Sequence, residues 1–249
     1  MIEIIDLNKI FGKNKVLDNI NLKIEQGAVY SLLGKNGVGK TTLINILVDL
    51  IKPDSGKILI NGKEHNALSK LDKMNIGVVG EDLALIEELN GYEFLSFVGR
   101  IYQLPKNTLN KRIDDLFNYF FEDERDLKKN ISKYSTGMKK KIAFCAAVLH
   151  TPDILILDEP FSGLDPFVAN QMISFLKVYK KKDRTIFISS HDLSYVEKIA
   201  SHICVLNDTQ IQFNSTLQNF TNNGENSLDK SLLKILKPNE SELTKIDWV

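Results

Sequence analysis

Residues Gly34-Lys35-Asn36-Gly37-Val38-Gly39-Lys40-Thr41 match the phosphate-binding pattern G-x-x-x-x-G-K-[ST]. Chance gives roughly 0.009 such matches in a chain of this composition. The segment follows an apolar run at 28–33, typical of a buried strand, and precedes apolar residues at helical spacing. Glycines there let backbone N–H groups surround a phosphate, whose charge the helix N-terminus favours. The sequence therefore predicts a nucleotide site, with Lys40 on the β- and γ-phosphates and Thr41 on Mg²⁺.

A pair of acidic residues follows a second apolar run. Asp158 and Glu159 come directly after residues 154–157, where a buried strand of an α/β sheet would present its carboxyl end. Asp158 is suited to hold Mg²⁺, and Glu159 to polarise an attacking water as general base. An acidic pair after a strand is a weak signal by itself. After a phosphate-binding loop, it indicates hydrolysis of the bound nucleotide.

The flanking sequence predicts the fold that carries these two segments. Residues 2–24 alternate apolar and polar side chains around a turn, which predicts two antiparallel strands. Residues 82–133 have apolar positions at helical spacing and predict an inserted helical lobe. Strands then alternate with helices, so we expect a mostly parallel sheet. The predicted elements are helices at about 138–149, 168–180 and 193–200, strands at 154–157, 185–189 and 203–206, and a short amphipathic helix at 228–236.

The composition limits the classes of function. The 249 residues include 32 Lys+Arg and 32 Asp+Glu, so the formal net charge is zero. A dedicated nucleic-acid binder usually carries a basic excess, and we therefore expect no nucleic-acid partner. Cys145 and Cys204 have no metal-binding spacing and are consistent with a reducing compartment. No apolar run approaches the ~20 residues that span a bilayer. The run Lys139-Lys140-Lys141 is expected on a solvated helix face.

Further segments resemble the ATP-binding cassette (ABC) transporter ATPases. The segment Tyr134-Ser135-Thr136-Gly137-Met138 is similar to the family signature, commonly L-S-G-G-Q. Residues 160–166, directly after Asp158-Glu159, resemble the family's D-loop, and Ser190-His191-Asp192 resembles the segment of its switch histidine. Phe11 resembles the aromatic residue that stacks on adenine. The order and spacing of the motifs agree from about residue 2 to 213, so the resemblance covers most of the chain.

The resemblance implies an α/β fold of the P-loop NTPase (ABC ATPase) type. The core has a mostly parallel sheet, an N-terminal antiparallel β-subdomain and an inserted α-helical lobe. The ATP-binding domain is expected over 2–236, with the core at about 2–81 and 134–213 and the lobe at about 82–133. A short C-terminal extension is expected over 214–249.

The resemblance also implies a mechanism in which two cassettes, as a homodimer, pack head to tail around ATP and Mg²⁺. Ser135 and the Gly137 N–H group face the partner's γ-phosphate, while His191 contacts the γ-phosphate of its own site and positions the attacking water with Glu159. The catalytic residues are then Glu159, His191 and Lys40, and the metal ligands Thr41, Asp158 and Glu81. The ATP-binding residues are Phe11, Gly34, Lys35, Asn36, Gly37, Val38, Gly39, Lys40, Thr41, Thr42, Ser135 and Gly137.

Two positions depart from the family pattern. Glu81 occupies the junction between core and lobe, where family members usually carry Gln. A Glu oxygen can still meet Mg²⁺ or water, and we expect Glu81 to keep the sensing role despite its added negative charge. Thr136 replaces a common Gly in the signature. Because Ser135 and Gly137 flank it unchanged, we expect a working site.

The closest resemblance is to ATPase subunits of bacterial multidrug, antibiotic and lantibiotic exporters. It implies a chain that works on the cytoplasmic side, peripheral on the inner face of the cell membrane, with the permease on a separate chain. An importer subunit, a soluble ABC ATPase acting on ribosomes or DNA, and a catalytically idle regulatory cassette are the alternatives. The single phosphate loop and the 95 positions between Lys40 and Ser135, without sustained heptads, disfavour the soluble types.

Overall fold

The structure is a computed structural model that describes residues 1–181 and 183–236. Its strands form one sheet of four strands and one of six. In chain order they are β1 (Ile2–Phe11), β2 (Asn14–Ile24), β3 (Val29–Leu33), β4 (Ser55–Ile60), β5 (Lys63–Glu64), β6 (Ile76–Val79), β7 (Ile154–Asp158), β8 (Thr185–Ser189), β9 (His202–Asn207) and β10 (Gln210–Thr216).

Helices occur both between the strands and in the segment between β6 and β7. They are α1 (Lys40–Leu47), α2 (Lys70–Lys73), α3 (Gly91–Ile101), α4 (Lys106–Phe120), α5 (Glu124–Leu127), α6 (Thr136–Val148), α7 (Pro166–Tyr179), α8 (Leu193–Ile199), α9 (Leu217–Phe220) and α10 (Leu228–Leu236), with 3₁₀ turns at His65–Ala67 and Ile131–Lys133. No helix among these residues is both long and apolar enough to cross a lipid bilayer.

The six-stranded sheet, in the order β10-β9-β3-β8-β7-β6, positions the functional segments. Its strands are parallel except for β10, which confirms the mostly parallel sheet. Every residue of β3, β7 and β8 is buried, as expected for strands covered on both faces. Because β7 and β8 are adjacent and in register, Asp158 lies opposite Ser189. The carboxyl ends of β3, β7 and β8 therefore meet at one edge.

The smaller sheet, in the order β2-β1-β4-β5, is antiparallel and confirms the N-terminal β-subdomain. Its inner face packs on the larger sheet through one apolar cluster, which includes Ile2, Leu17, Leu43 and Leu206. Leu43 belongs to α1, so the helix that follows the phosphate loop is anchored by this cluster. The burial of these side chains fixes the position of the loop at its start.

The inserted lobe between β6 and α6 is helical. A single antiparallel β-bridge joins Asn90 and Asn130, and residues 82–133 contain none of the strands β1–β10. Asn90 starts α3 with a capping box, since its side chain accepts from the Glu93 N–H group and Glu93 accepts from the Asn90 N–H group. The lobe and α6 share one apolar cluster, so the helix of the signature segment belongs to both parts of the fold.

The C-terminal part contains the predicted helix at 228–236 and packs against the core. The predicted end of the core, residue 213, falls inside β10, a strand that the sequence does not indicate. Phe220 and Leu228 of the expected extension pack in an apolar cluster with Val196 and Val205. The described part of the extension is therefore packed against the core. The remainder of the predicted extension, 237–249, lies outside the described residues.

Candidate active site

A cavity of about 570 Å³ lies at the carboxyl edge where β3, β7 and β8 end. Most of the site residues expected from the sequence line it. These are Phe11, Asn36, Gly37, Gly39, Lys40, Thr41, Thr42, Glu81, Asp158, Glu159 and His191. Gly34, Lys35 and Val38 belong to the same loop without lining the cavity, and Ser135 and Gly137 lie outside it.

The phosphate loop joins β3 to α1 in a conformation that its glycines permit. A Cβ atom on Gly34 would lie 2.4 Å from the Leu206 carbonyl oxygen, so no larger residue fits there. Gly39, at φ 111°, precedes the first residue of α1 and provides no side-chain cap. The N–H groups of the first helical turn are thus available to an anion. The loop has the backbone of an anion site.

Lys40 is a nearly buried cation inside this loop. Its Nζ donates to the carbonyl oxygens of Gly34, at 3.0 Å, and Lys35, at 3.3 Å. The same Nζ lies 3.6 Å from Oε1 of Glu159. The ammonium group is therefore fixed between the loop and the end of β7.

Asp158 presents one free carboxylate oxygen. The residue is 2% exposed, and its Oδ1 accepts a hydrogen bond from the Ser189 hydroxyl. Its Oδ2 is buried and has no partner among the described residues. Leaving such an oxygen unpaired is costly, which indicates a site for a ligand that the oxygen would hold. An orphaned carboxylate oxygen in the cavity that Thr41 lines suits Mg²⁺, which prefers oxygen ligands.

The described residues contain no cluster of three or more His, Cys, Asp or Glu side chains that could cage a metal. Magnesium sites of nucleotide-binding enzymes use one or two carboxylates together with substrate phosphates. Glu81, two residues after β6, accepts a hydrogen bond from the Thr41 hydroxyl at 3.4 Å. The donor set of Thr41, Asp158 and Glu81 therefore fits an ion bound jointly with phosphate.

Glu159 and His191 are in direct contact at the cavity. Oε2 of Glu159 lies 2.8 Å from Nδ1 of His191 and also accepts from the His191 N–H group at 3.4 Å. The backbone of Glu159 has φ 47°, a left-handed conformation that is uncommon outside glycine. Its N–H group donates to the Ser189 hydroxyl at 2.9 Å, which holds this conformation. A carboxylate oriented by histidine in this way can act as a general base.

Phe11 lines the cavity, whereas Ser135 and Gly137 of the signature segment lie outside it. Phe11 ends β1, lines the cavity and is 46% exposed, and the Lys9 ammonium group lies over its ring, 5.0 Å from the ring centroid. An exposed aromatic ring at the edge of the cavity suits stacking on a base. Ser135, exposed at the start of α6, accepts a hydrogen bond from the Met138 N–H group at 3.3 Å. Its side chain thus caps the helix outside the cavity of its own chain.

Sequence reasoning missed Lys140 and Ser189. The three consecutive lysines are each half-buried instead of lying on a solvated face. Lys140 lines the cavity and donates to the carbonyl oxygens of Ser162, at 2.5 Å, and Glu159, at 3.2 Å. Burial lowers the pKa of Lys140, while the carboxylates of Glu159 and Glu81 act in the opposite direction. No local pattern marks Lys140, because its partners Glu159 and Ser162 lie 19 and 22 positions further along the chain.

Comparisons with known proteins agree with this geometry. The family model described as ABC transporter matches residues 17–162. The bacitracin transport ATP-binding protein of Bacillus licheniformis is 34% identical over 212 residues, which cover 85% of this chain and 68% of that protein. A lantibiotic transport ATP-binding protein of Streptococcus pyogenes is 35% identical, over 82% of this chain and 85% of its own length.

A solved structure described as the ATP-binding subunit of an ABC transporter superposes with a TM-score of 0.86. It is 28% identical, and the match covers 94% of this chain and 99% of the other. The family model spans the phosphate loop and the Asp158-Glu159 pair, and the relatives extend the match over most of the chain. This chain therefore belongs to the ABC transporter family, in which it is an ATP-binding subunit that hydrolyses ATP.

Proposed function

We propose that this chain powers an exporter of an antibiotic-like compound through a permease on a separate chain. The contact of Glu159 with His191, beside Lys40 in the cavity, supports its ATP-hydrolysing role. The direction and cargo class are supported by its similarity to bacitracin and lantibiotic transport ATP-binding proteins. In this proposal the chain is cytoplasmic and peripheral on the inner face of the membrane, held there by the permease.

ATP lies in the cavity with its phosphates on the loop. Backbone N–H groups of the loop and the start of α1 hold the phosphates, because they are the free donors of a helix N-terminus. Lys40 adds a fixed positive charge, and Phe11 stacks on the adenine. The residues proposed to bind ATP in this way are Phe11, Gly34, Lys35, Asn36, Gly37, Val38, Gly39, Lys40, Thr41 and Thr42.

Mg²⁺ is the proposed metal cofactor, held by Thr41, Asp158 and Glu81 together with the phosphates. When bound, it neutralises charge that develops on the phosphate oxygens. On the protein side, the free Oδ2 of Asp158 is the strongest support for this assignment. Ser189 occupies the other oxygen of Asp158 and leaves Oδ2 for the ligand.

Hydrolysis requires a water activated beside the γ-phosphate. Glu159 takes a proton from this water as its oxygen attacks the γ-phosphorus, and the bond to the bridging oxygen breaks to release ADP. His191 holds the Glu159 carboxylate. In this proposal His191 also contacts the γ-phosphate. None of the four arginines (Arg100, Arg112, Arg125, Arg184) lines the cavity, so lysine ammonium groups and backbone dipoles supply the protein's share of charge stabilisation.

A second copy of the cassette is proposed to complete each site. Ser135 and Gly137 lie outside their own chain's cavity, at the exposed start of α6. Packed head to tail, two copies would bring this start of a helix to the γ-phosphate in the partner's cavity, where its N–H groups favour negative charge. Each site would then need residues from both chains.

The experiment that tests the exporter is purification from membranes followed by a resistance assay. We expect the chain to co-purify with a polytopic membrane protein, and the pair to raise the tolerance of a sensitive host to a peptide antibiotic. Glu159→Gln should abolish the tolerance without preventing co-purification. Increased uptake of a compound, or tolerance that persists with Glu159→Gln, would contradict the proposal.

A further inference from the structure

Lys140 forms a bridge between α6 and the end of β7. Its Nζ donates to the carbonyl oxygen of Glu159 at 3.2 Å and to that of Ser162 at 2.5 Å. These two carbonyl groups belong to the turn that begins at Glu159, the proposed general base. The neighbouring lysines are used elsewhere, since Lys139 pairs with Glu87 and Lys141 donates to the Phe120 carbonyl oxygen. Lys140 alone of the three lines the cavity.

Lys140 also contributes to the balance of charge in the cavity. Two ammonium groups, those of Lys40 and Lys140, face three carboxylates, those of Glu81, Asp158 and Glu159. Nζ of Lys40 lies 3.6 Å from Oε1 of Glu159, so Lys40 offsets the charge of that carboxylate. The additional carboxylate of Glu81 would repel a polyanionic nucleotide, and Lys140 carries the charge that offsets it. Burial lowers the pKa of Lys140, and the negative charges of Glu159 and Glu81 both raise it, which agrees with this arrangement.

We propose that Lys140 is a positioning residue of the ATP site, which offsets the charge of Glu81 and holds the Glu159–Ser162 turn against α6. The inference rests on the proposed ATP site. Lys140 acts through its neighbours: its charge sets the electrostatic potential for nucleotide binding, and its hydrogen bonds hold the backbone that carries the Glu159 carboxylate. Since Ser135 begins the same helix, the turn is tied to the helix that faces the proposed second copy.

Two substitutions separate charge from hydrogen bonding. Lys140→Gln keeps an N–H donor but removes the charge, whereas Lys140→Met removes both. We expect Lys140→Gln to weaken binding of the β,γ-imido analogue of ATP roughly tenfold, as expected for one charge lost near a polyanion. Its kcat should stay within about threefold of wild type, while Lys140→Met should lower kcat a further tenfold or so because the turn loses its donor.

Glu81→Gln supplies the charge test. Alone, it should tighten analogue binding, and combined with Lys140→Gln it should return the Kd to within about threefold of wild type. Lys139→Gln is the matched control, because it removes a charge from the same helix outside the cavity, and its Kd should not change. Thermal unfolding of each variant verifies that it is folded.

Three results would overturn the inference while wild type still binds and hydrolyses ATP. These are an unchanged Kd in Lys140→Gln, a double variant that binds as weakly as Lys140→Gln, and equal kcat in Lys140→Met and Lys140→Gln. If wild type itself failed to bind the analogue, the proposed ATP site would be wrong instead. The two failures are therefore distinguishable.

Discussion

At the scale of single residues, Ser189 links the carboxylate of Asp158 to the backbone of Glu159. Its hydroxyl donates to Oδ1 of Asp158 and accepts from the N–H group of Glu159, and the residue is fully buried. Ser189→Ala would leave a carboxylate oxygen and a backbone N–H group without partners, which costs about 1–3 kcal/mol each. We expect kcat to drop roughly tenfold or more and the apparent affinity for Mg²⁺ to fall, so that half-maximal activity needs more Mg²⁺. Both are measured by steady-state ATP hydrolysis.

Ser31→Ala is the matched control for this prediction. Ser31 also lies fully buried, on the neighbouring strand β3, but its hydroxyl has no partner among the described residues. Removing an unpaired buried hydroxyl should leave activity unchanged and should not lower stability. Equal losses of kcat in the two variants would show that Ser189 acts only through packing.

The sequence could predict Lys40, Asp158 and Glu159 as candidates because each lies in a contiguous motif. It could not predict Ser189 or Lys140 as parts of the site, since their partners are distant along the chain. Ser189 meets Asp158 across 31 positions, and Lys140 meets Ser162 across 22. Only the strand register and the packing of α6 bring these groups together. Contacts of this kind depend on tertiary structure, which local patterns do not encode.

At the scale of elements, a histidine connects the lobe to the core. His150, just after α6, stacks on Tyr102 at the end of α3, with ring centroids 3.6 Å apart. Its Nε2 lies 3.4 Å from the Ile76 carbonyl oxygen of β6. Burial lowers the pKa of His150 to about 4, an effect that this carbonyl opposes and the charge of Arg112 reinforces. The contact joins α3, α6 and the strand that leads to Glu81.

The depressed pKa of His150 makes stability depend on pH with a definite sign. The imidazole is protonated near pH 6.5 in the unfolded chain and only near pH 4 in the folded chain. The contribution of His150 to the free energy of unfolding is therefore present above pH 6.5 and is lost as pH falls towards 4. Between pH 7 and 5 the loss amounts to about 2 kcal/mol. His150→Phe keeps an aromatic ring for stacking but cannot be protonated. Its free energy of unfolding, measured with urea at pH 7 and pH 5, should therefore fall by about 2 kcal/mol less than that of the wild type. The same pH dependence in both proteins would contradict the assignment.

Helices α6, α7 and α8 could be predicted to within two residues, because apolar periodicity and capping residues mark them. Strand β10 could not. It is an edge strand that alternates exposed and half-buried residues, with Gln210, Gln212 and Asn214 along it, so no apolar run marks it. Its pairing with β9 supplies the hydrogen bonds that define it.

At the scale of the whole molecule, the proposed head-to-tail pair predicts complementation between inactive variants. Lys40→Ala and Ser135→Ala should each abolish hydrolysis in a homodimer. In a mixed dimer one site carries both defects and the other carries neither. Mixing equal amounts should therefore restore roughly a quarter of the wild-type activity. Mixtures as inactive as the separate variants would show that Ser135 serves its own chain's site.

Glu159 is central to the proposed activity, because its carboxylate contacts His191 and lies beside Lys40. The decisive measurement is the rate of ATP hydrolysis by purified Glu159→Gln protein, with nucleotide binding measured in parallel. Glutamine fits the same space and cannot accept the proton, so we predict a rate at least about 100-fold lower with binding retained. Hydrolysis by Glu159→Gln as fast as wild type would contradict the assignment of the active site.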